Sequence, residues 1–174
     1  MLDSILNITT LELKVLILSM LPITELRLSI PYFIIYEKID LFTAIFFSIL
    51  GNILIGITVF NILGPLIYKI KHMKYISKPI NYIINRTKSR SSLINNFKAL
   101  GLLIFIGIPL PFTGVWTGSL AAYLFDVTRK RALFAIVLGV LMSATIVSLL
   151  SILANEFWFN IINDQINKKL GIVK

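Results

Sequence analysis

Four apolar runs fill most of the chain and limit it to a few folds: Leu13 to Tyr36, Leu41 to Tyr68, Ala99 to Phe125, and Ala132 to Asn155. Each is long enough to cross the ~30 Å hydrocarbon core of a bilayer as a helix. The composition agrees: 57% of residues are hydrophobic and 14% charged, against about a quarter charged in soluble domains. A formal charge of +9 would fit a nucleic-acid binder. However, eight of the seventeen basic residues fall between Lys69 and Lys98, flanked by uncharged apolar runs. That pattern is one of a cytoplasmic loop, and no nucleic-acid partner is expected.

The second and fourth runs carry no charge, and their only proline is Pro65, near one end, so both read as transmembrane helices. The first holds Pro22, Glu25, Arg27 and Pro31 at its middle. The third holds Pro109 and Pro111, followed by Thr113, Gly114, Trp116, Thr117 and Gly118. A helix is expected to break at both places. A broken run is either a kinked span or a re-entrant hairpin, and charge chooses between them. Four full spans would put the Lys69 to Lys98 loop and the Arg129, Lys130, Arg131 cluster on opposite faces, against the positive-inside rule. Two hairpins put both on the cytoplasmic face and both termini on the other. A limb of about 12 residues is roughly 18 Å long, which reaches mid-bilayer.

Setting Pro22 on Pro111 aligns Pro22-Ile23-Thr24-Glu25-Leu26-Arg27-Leu28-Ser29 with Pro111-Phe112-Thr113-Gly114-Val115-Trp116-Thr117-Gly118. The expected fold is therefore an all-α, multi-pass membrane protein forming a single membrane domain, built as an inverted repeat. Its first repeat covers 1–68 (re-entrant hairpin 13–36, transmembrane helix 41–68). A basic interfacial linker helix covers 69–98, where Met73, Ile76, Ile80, Ile83 and Ile84 recur among lysines and arginines. The second repeat covers 99–155 (hairpin 99–125, transmembrane helix 132–155), and an amphipathic tail covers 156–174. Inverted repeats of this kind are typical of secondary transporters.

Small residues recur at every fourth place: Ser48, Asn52, Gly56; Ala135, Gly139, Ser143; and Gly114, Gly118, Ala122. Such stripes serve close internal packing first and a homodimer face second. Thr9-x-x-Glu12 is expected to cap the first limb, and Asp40 and Asp126 to cap the two spans. The N-terminus has no basic signal-peptide n-region, so residue 1 is expected to belong to the mature protein.

Glu25 and Arg27 are the only charges deep inside the first run, Lys14 standing at its edge, and either costs several kcal/mol at the bilayer centre, on the order of 3 by insertion scales. In one reading Glu25 carries a coupling proton or faces a cationic substrate while Arg27 holds an anionic group. In the other the two neutralise each other or cap broken helix ends. Residues two apart do not meet on a helix, so mutual pairing requires unwound backbone. Thr24, Thr113 and Thr117 offer hydroxyls and Trp116 an aromatic wall with one donor. Pro22, Pro31, Pro109, Pro111, Gly114 and Gly118 would shape the hairpins. The sequence has no cysteine, one histidine (His72), and no catalytic motif, so no metal, cofactor or catalytic residue is expected and the chain is not read as an enzyme.

The motifs Pro22-x-x-Glu25-Leu26-Arg27-x-x-Ile30-Pro31 and Pro109-Leu110-Pro111-x-Thr113-Gly114-x-Trp116-Thr117-Gly118-x-Leu120-Ala121-Ala122 resemble those of the bacterial small multi-drug export protein family. Glycines commonly follow the Arg and the second Pro in that family, where this chain has Leu28 and Phe112. The family is distantly similar to the DedA group, whose paired re-entrant hairpins are associated with proton-linked transport of lipid-phosphate carriers and with lipid scrambling. The resemblance implies a site role for Glu25, Arg27, Thr113 and Trp116. The expected function is proton-coupled export of a hydrophobic or amphipathic substrate across the bacterial inner membrane. Its partners would be membrane lipids and a hydrophobic or lipid-phosphate substrate. A DedA-type scramblase or polyprenyl-phosphate carrier, and a non-transporting scaffold, are the alternatives.

Overall fold

The computed structural model describes residues 2–66, 98–110 and 113–169, and the secondary structure among them is all helical. Helix α1 spans Leu2–Met20, α2 Glu25–Ile35, and α3 Leu41–Thr58, continued by a π-helical turn over Val59–Leu63. In the second half, α4 spans Lys98–Gly107, α5 Val115–Leu124, and α6 Arg129–Lys169. The basic linker, Pro111 and the last residues of the tail lie outside the described residues.

Both runs with central prolines break where expected. Pro22 has no N–H to continue α1, and the chain crosses to α2 through a short turn in which Glu25 N–H reaches the Leu21 carbonyl at 3.0 Å. Glu25 itself adopts φ of 44°, the left-handed region disfavoured by L side chains. This is the unwinding that a Glu25–Arg27 encounter requires. After the turn the chain doubles back: Ser29 Oγ donates to the Val15 carbonyl at 3.2 Å, and Phe33 packs with Val15 and with Ala44 of α3. In the second half, Gly118 of α5 lies against Ile106 and Leu102 of α4.

Among the described residues, two helices are long and apolar enough to cross a membrane, Leu41–Leu66 and Arg129–Phe157. At 41 residues α6 is ~60 Å long at 1.5 Å per residue, running unbroken past Asn155 into the tail. Asp40 caps α3 as expected, its carboxylate accepting the Thr43 N–H at 3.1 Å. Two other caps fall elsewhere. Helix α1 starts at Leu2, so Thr9 and Glu12 lie within it rather than at its start. Asp126, with φ of 52°, closes the end of α5 instead of opening α6. The Val127 N–H bonds back to the Ala122 carbonyl at 3.0 Å around it, a Schellman-type stop. The first bond of α6 runs from Ala132 N–H to the Thr128 carbonyl.

The small-residue stripes pack inside the chain. Ser48, Asn52, Ala135, Ser143 and Ala122 are buried. At Gly56 an added Cβ would come within 2.6 Å of Val115 and 2.9 Å of Ile136. These contacts bring α3, α5 and α6 together and let the larger core form from Leu26, Ile30, Ile106, Val115, Ile136 and Val140. A smaller core joins α1, α2 and α3.

Candidate functional site

A broken helix exposes carbonyls at one end and N–H groups at the other, and in an apolar interior each must find a partner. Here each break is satisfied largely by side chains of the other. Arg27, just inside α2, donates Nη1 to the Leu110 carbonyl and Nη2 to the Ile108 carbonyl at 3.4 Å and to Thr113 Oγ1 at 3.1 Å. Its cation thus sits on the carbonyl-rich end of α4, where the helix dipole favours positive charge. The Glu25 carboxylate takes the opposite end, accepting the Trp116 N–H at 3.3 Å at the start of α5. In return, Trp116 Nε1 donates to the Met20 carbonyl at the end of α1, at 2.9 Å.

The exchange follows the register of the aligned motifs. Arg27 and Trp116 occupy matching positions, and each serves the carbonyls of the other break. Glu25 matches Gly114, whose φ of 124° and missing side chain admit the carboxylate: a Cβ at Gly114 would stand 2.8 Å from the Glu25 carboxyl carbon. Thr24 and Thr113 also match, and each hydroxyl turns back to its own preceding helix. Thr24 bonds to the Leu18 carbonyl, and Thr113 to the carbonyls of Ile108 at 3.0 Å and Leu110 at 2.8 Å.

Glu25 and Arg27 do not form a closed ion pair. Arg27 Nε lies 3.9 Å from Glu25 Oε2 and is buried without a hydrogen-bond partner. A buried donor left unmade costs about 1–3 kcal/mol, more when charged. Beside this pair is a cavity of about 490 Å³ lined by Pro22, Glu25, Arg27, Thr113, Trp116 and Thr117, with Ile23, Leu28, Pro109 and Leu110 completing an apolar wall. Five of the six residues expected to bind substrate or protons therefore share one cavity. Thr24 does not: it faces a different groove, between α1 and α2. Thr117 lines the cavity, its hydroxyl 3.4 Å from the Gly114 carbonyl. Pro31 lies within α2 and lines the same groove as Thr24.

Asn52 is a participant that sequence reading had placed only among packing residues. Only 1% exposed, it donates Nδ2 to the Ser19 carbonyl at 2.8 Å and to the Ser48 carbonyl at 3.2 Å. Ser48 and Ser29 hydroxyls meet beside it at 3.0 Å. The end of α1 is thereby closed from three directions, by Thr24, Asn52 and Trp116. An uncharged amide in an otherwise apolar helix was the available signal.

Helices long enough to span a bilayer, a strongly apolar composition and two mutually capped helix breaks define an all-helical membrane protein. The model of the family described as "Putative small multi-drug export protein" matches residues 25–146, and the chain belongs to that family. The description is one of export, not of an enzyme class. No curated protein and no solved structure matches the chain.

Proposed function

We propose that the protein is a secondary transporter that moves a hydrophobic or amphipathic substrate across the bacterial cytoplasmic membrane, using the cavity between the two breaks as its site and Glu25 as its proton carrier. The observation that carries this reading is the unclosed pair: a buried guanidinium Nε 3.9 Å from a buried carboxylate, at the edge of a cavity with otherwise largely apolar walls. With Glu25 ionised, it holds the N-terminal end of α5 and attracts Arg27. With Glu25 protonated, both interactions weaken and the breaks are freer to part. Both broken runs are re-entrant hairpins in this reading and the two halves form an inverted repeat. The reciprocal roles of Arg27 and Trp116 support that symmetry, as expected of transporters with central sites.

The Arg27 guanidinium on the cavity wall also suits a phosphate, which favours a passive carrier or scramblase of lipid phosphates as the second reading. The test uses purified protein in sealed vesicles, following a lipophilic cationic dye and a fluorescent phospholipid with and without an imposed pH gradient. Gradient-driven dye movement that Glu25→Gln lowers at least tenfold, with equal protein inserted, supports coupled export. Lipid movement indifferent to the gradient supports the carrier. If Glu25→Gln inserts and works as well as the parent, the carboxylate serves only to cap α5 and a scaffold role moves ahead.

A further inference from the structure

A second cavity, of about 680 Å³, lies between α1 and α2. Its walls are Ile17, Leu18, Leu21, Leu28, Pro31 and other apolar or aromatic side chains. Two lining residues differ, Thr24 and Lys14. The Thr24 hydroxyl is spent on the Leu18 carbonyl. Lys14 is exposed and is the one charged residue of the lining. It precedes Leu21 by seven positions, or ~10 Å along α1, and so marks the groove end remote from the break. Tyr36 is in the lining, at the far end of α2, and its ring stacks on Tyr32 with centroids 5.7 Å apart. Tyrosines of this kind gather where a membrane protein meets the headgroup layer. Glu37 follows them, but its carboxylate accepts the Tyr32 hydroxyl at 3.3 Å.

The groove thus has a direction, with a cation and amphipathic rings at one end and only apolar contact beyond them. An amphiphile laid the other way would put the end of its tail against Lys14. We propose that the groove holds one acyl chain of an anionic glycerophospholipid, with the phosphate at Lys14 and the chain running toward Leu28. The lysine stem lies along the apolar wall while its ammonium reaches the headgroup level. This groove adjoins the cavity at the breaks through the shared wall residue Leu28 but includes none of that cavity's polar residues. It rests on the membrane placement of α1 and α2 given above, but its test reads lipid retention and needs no transport.

The experiment is native mass spectrometry of the full chain in micelles supplied with equal dioleoyl phosphatidylglycerol and dioleoyl phosphatidylethanolamine. The parent is expected to retain the phosphatidylglycerol about fivefold over the other, the preference one lysine near a charged surface supplies. Lys14→Gln should abolish the preference, whereas Lys38→Gln, outside the groove lining, should keep it. Ile17→Trp, which fills the groove from a half-exposed position, should lower retention of both lipids. Should that variant fail to fold, Ile35→Trp fills the groove from α2, at a residue outside the cavity at the breaks. No preference in the parent, a preference for phosphatidylethanolamine, a Lys14→Gln variant that keeps the preference, or unchanged retention in the filled variant would each overturn the proposal.

Discussion

Gly114→Ala tests whether the Glu25 carboxylate caps α5. The glycine has φ of 124° and ψ of −169°, a region essentially reserved for glycine, and forcing another residue into it costs about 1–3 kcal/mol. The new methyl would also overlap the carboxylate, whose carbon stands 2.8 Å from the Cβ position. The carboxylate would have to leave the Trp116 N–H, and a hydrogen bond to a charged group contributes about 1.5–3 kcal/mol. The two effects share atoms and will not add fully, so a total of about 3–5 kcal/mol is expected. A double-mutant cycle with Glu25→Ala separates them, read by denaturant titration in micelles with circular dichroism. Without the carboxylate, Gly114→Ala should cost only the backbone strain, leaving a coupling of about 1.5–3 kcal/mol. Equal costs in the two backgrounds, to within ~0.5 kcal/mol, would refute the cap.

Asn52→Leu keeps the size but strips the Ser19 carbonyl of its side-chain donor, and should destabilise by about 1–3 kcal/mol in the same titration. Two glycines should respond with opposite sign: Gly101→Ala, where nothing lies within 4 Å of the new Cβ, should stabilise by about 0.4–1 kcal/mol. Gly56→Ala, pressed on Val115 and Ile136, should cost about 1–3 kcal/mol. Single cysteines at Lys38 and Thr128, in a cysteine-free background, test the hairpins: a membrane-impermeant thiol reagent should label them from opposite faces. Labelling from the same face would mean that the third run, the broken run between these two positions, is a kinked span.

The local pattern of this sequence was enough to place α3, α6 and the two breaks. Uncharged apolar runs mark α3 and α6, because length and hydropathy act through the solvent a segment prefers. Pro22 and Pro109 mark the breaks, because a missing N–H and a ring clash are properties of the residue itself. Glu25 and Arg27 stood out for a related reason, as the only charges deep within the first run. The small-residue stripes were legible as internal packing, although which helices they would join was not. The alternative in which both charges cap broken helix ends was also open from the sequence, without naming the ends.

Tertiary structure decided which ends those are. Arg27 and the Leu110 carbonyl are 83 positions apart, and Glu25 and the Trp116 N–H 91. No local periodicity encodes a pairing at that separation. It depends on how α2, α4 and α5 come together in the core, where glycine at 114 leaves space for a carboxylate. Thr24 and Thr113 hold matching positions in the sequence, yet only Thr113 reaches the shared cavity, since Thr24 lines the groove between α1 and α2. Asn52 looked like packing because an amide in an apolar helix does not reveal which carbonyl it will serve. Local chemistry specified where hydrogen bonds would be missing, and the path of the chain through space determined which side chains would supply them.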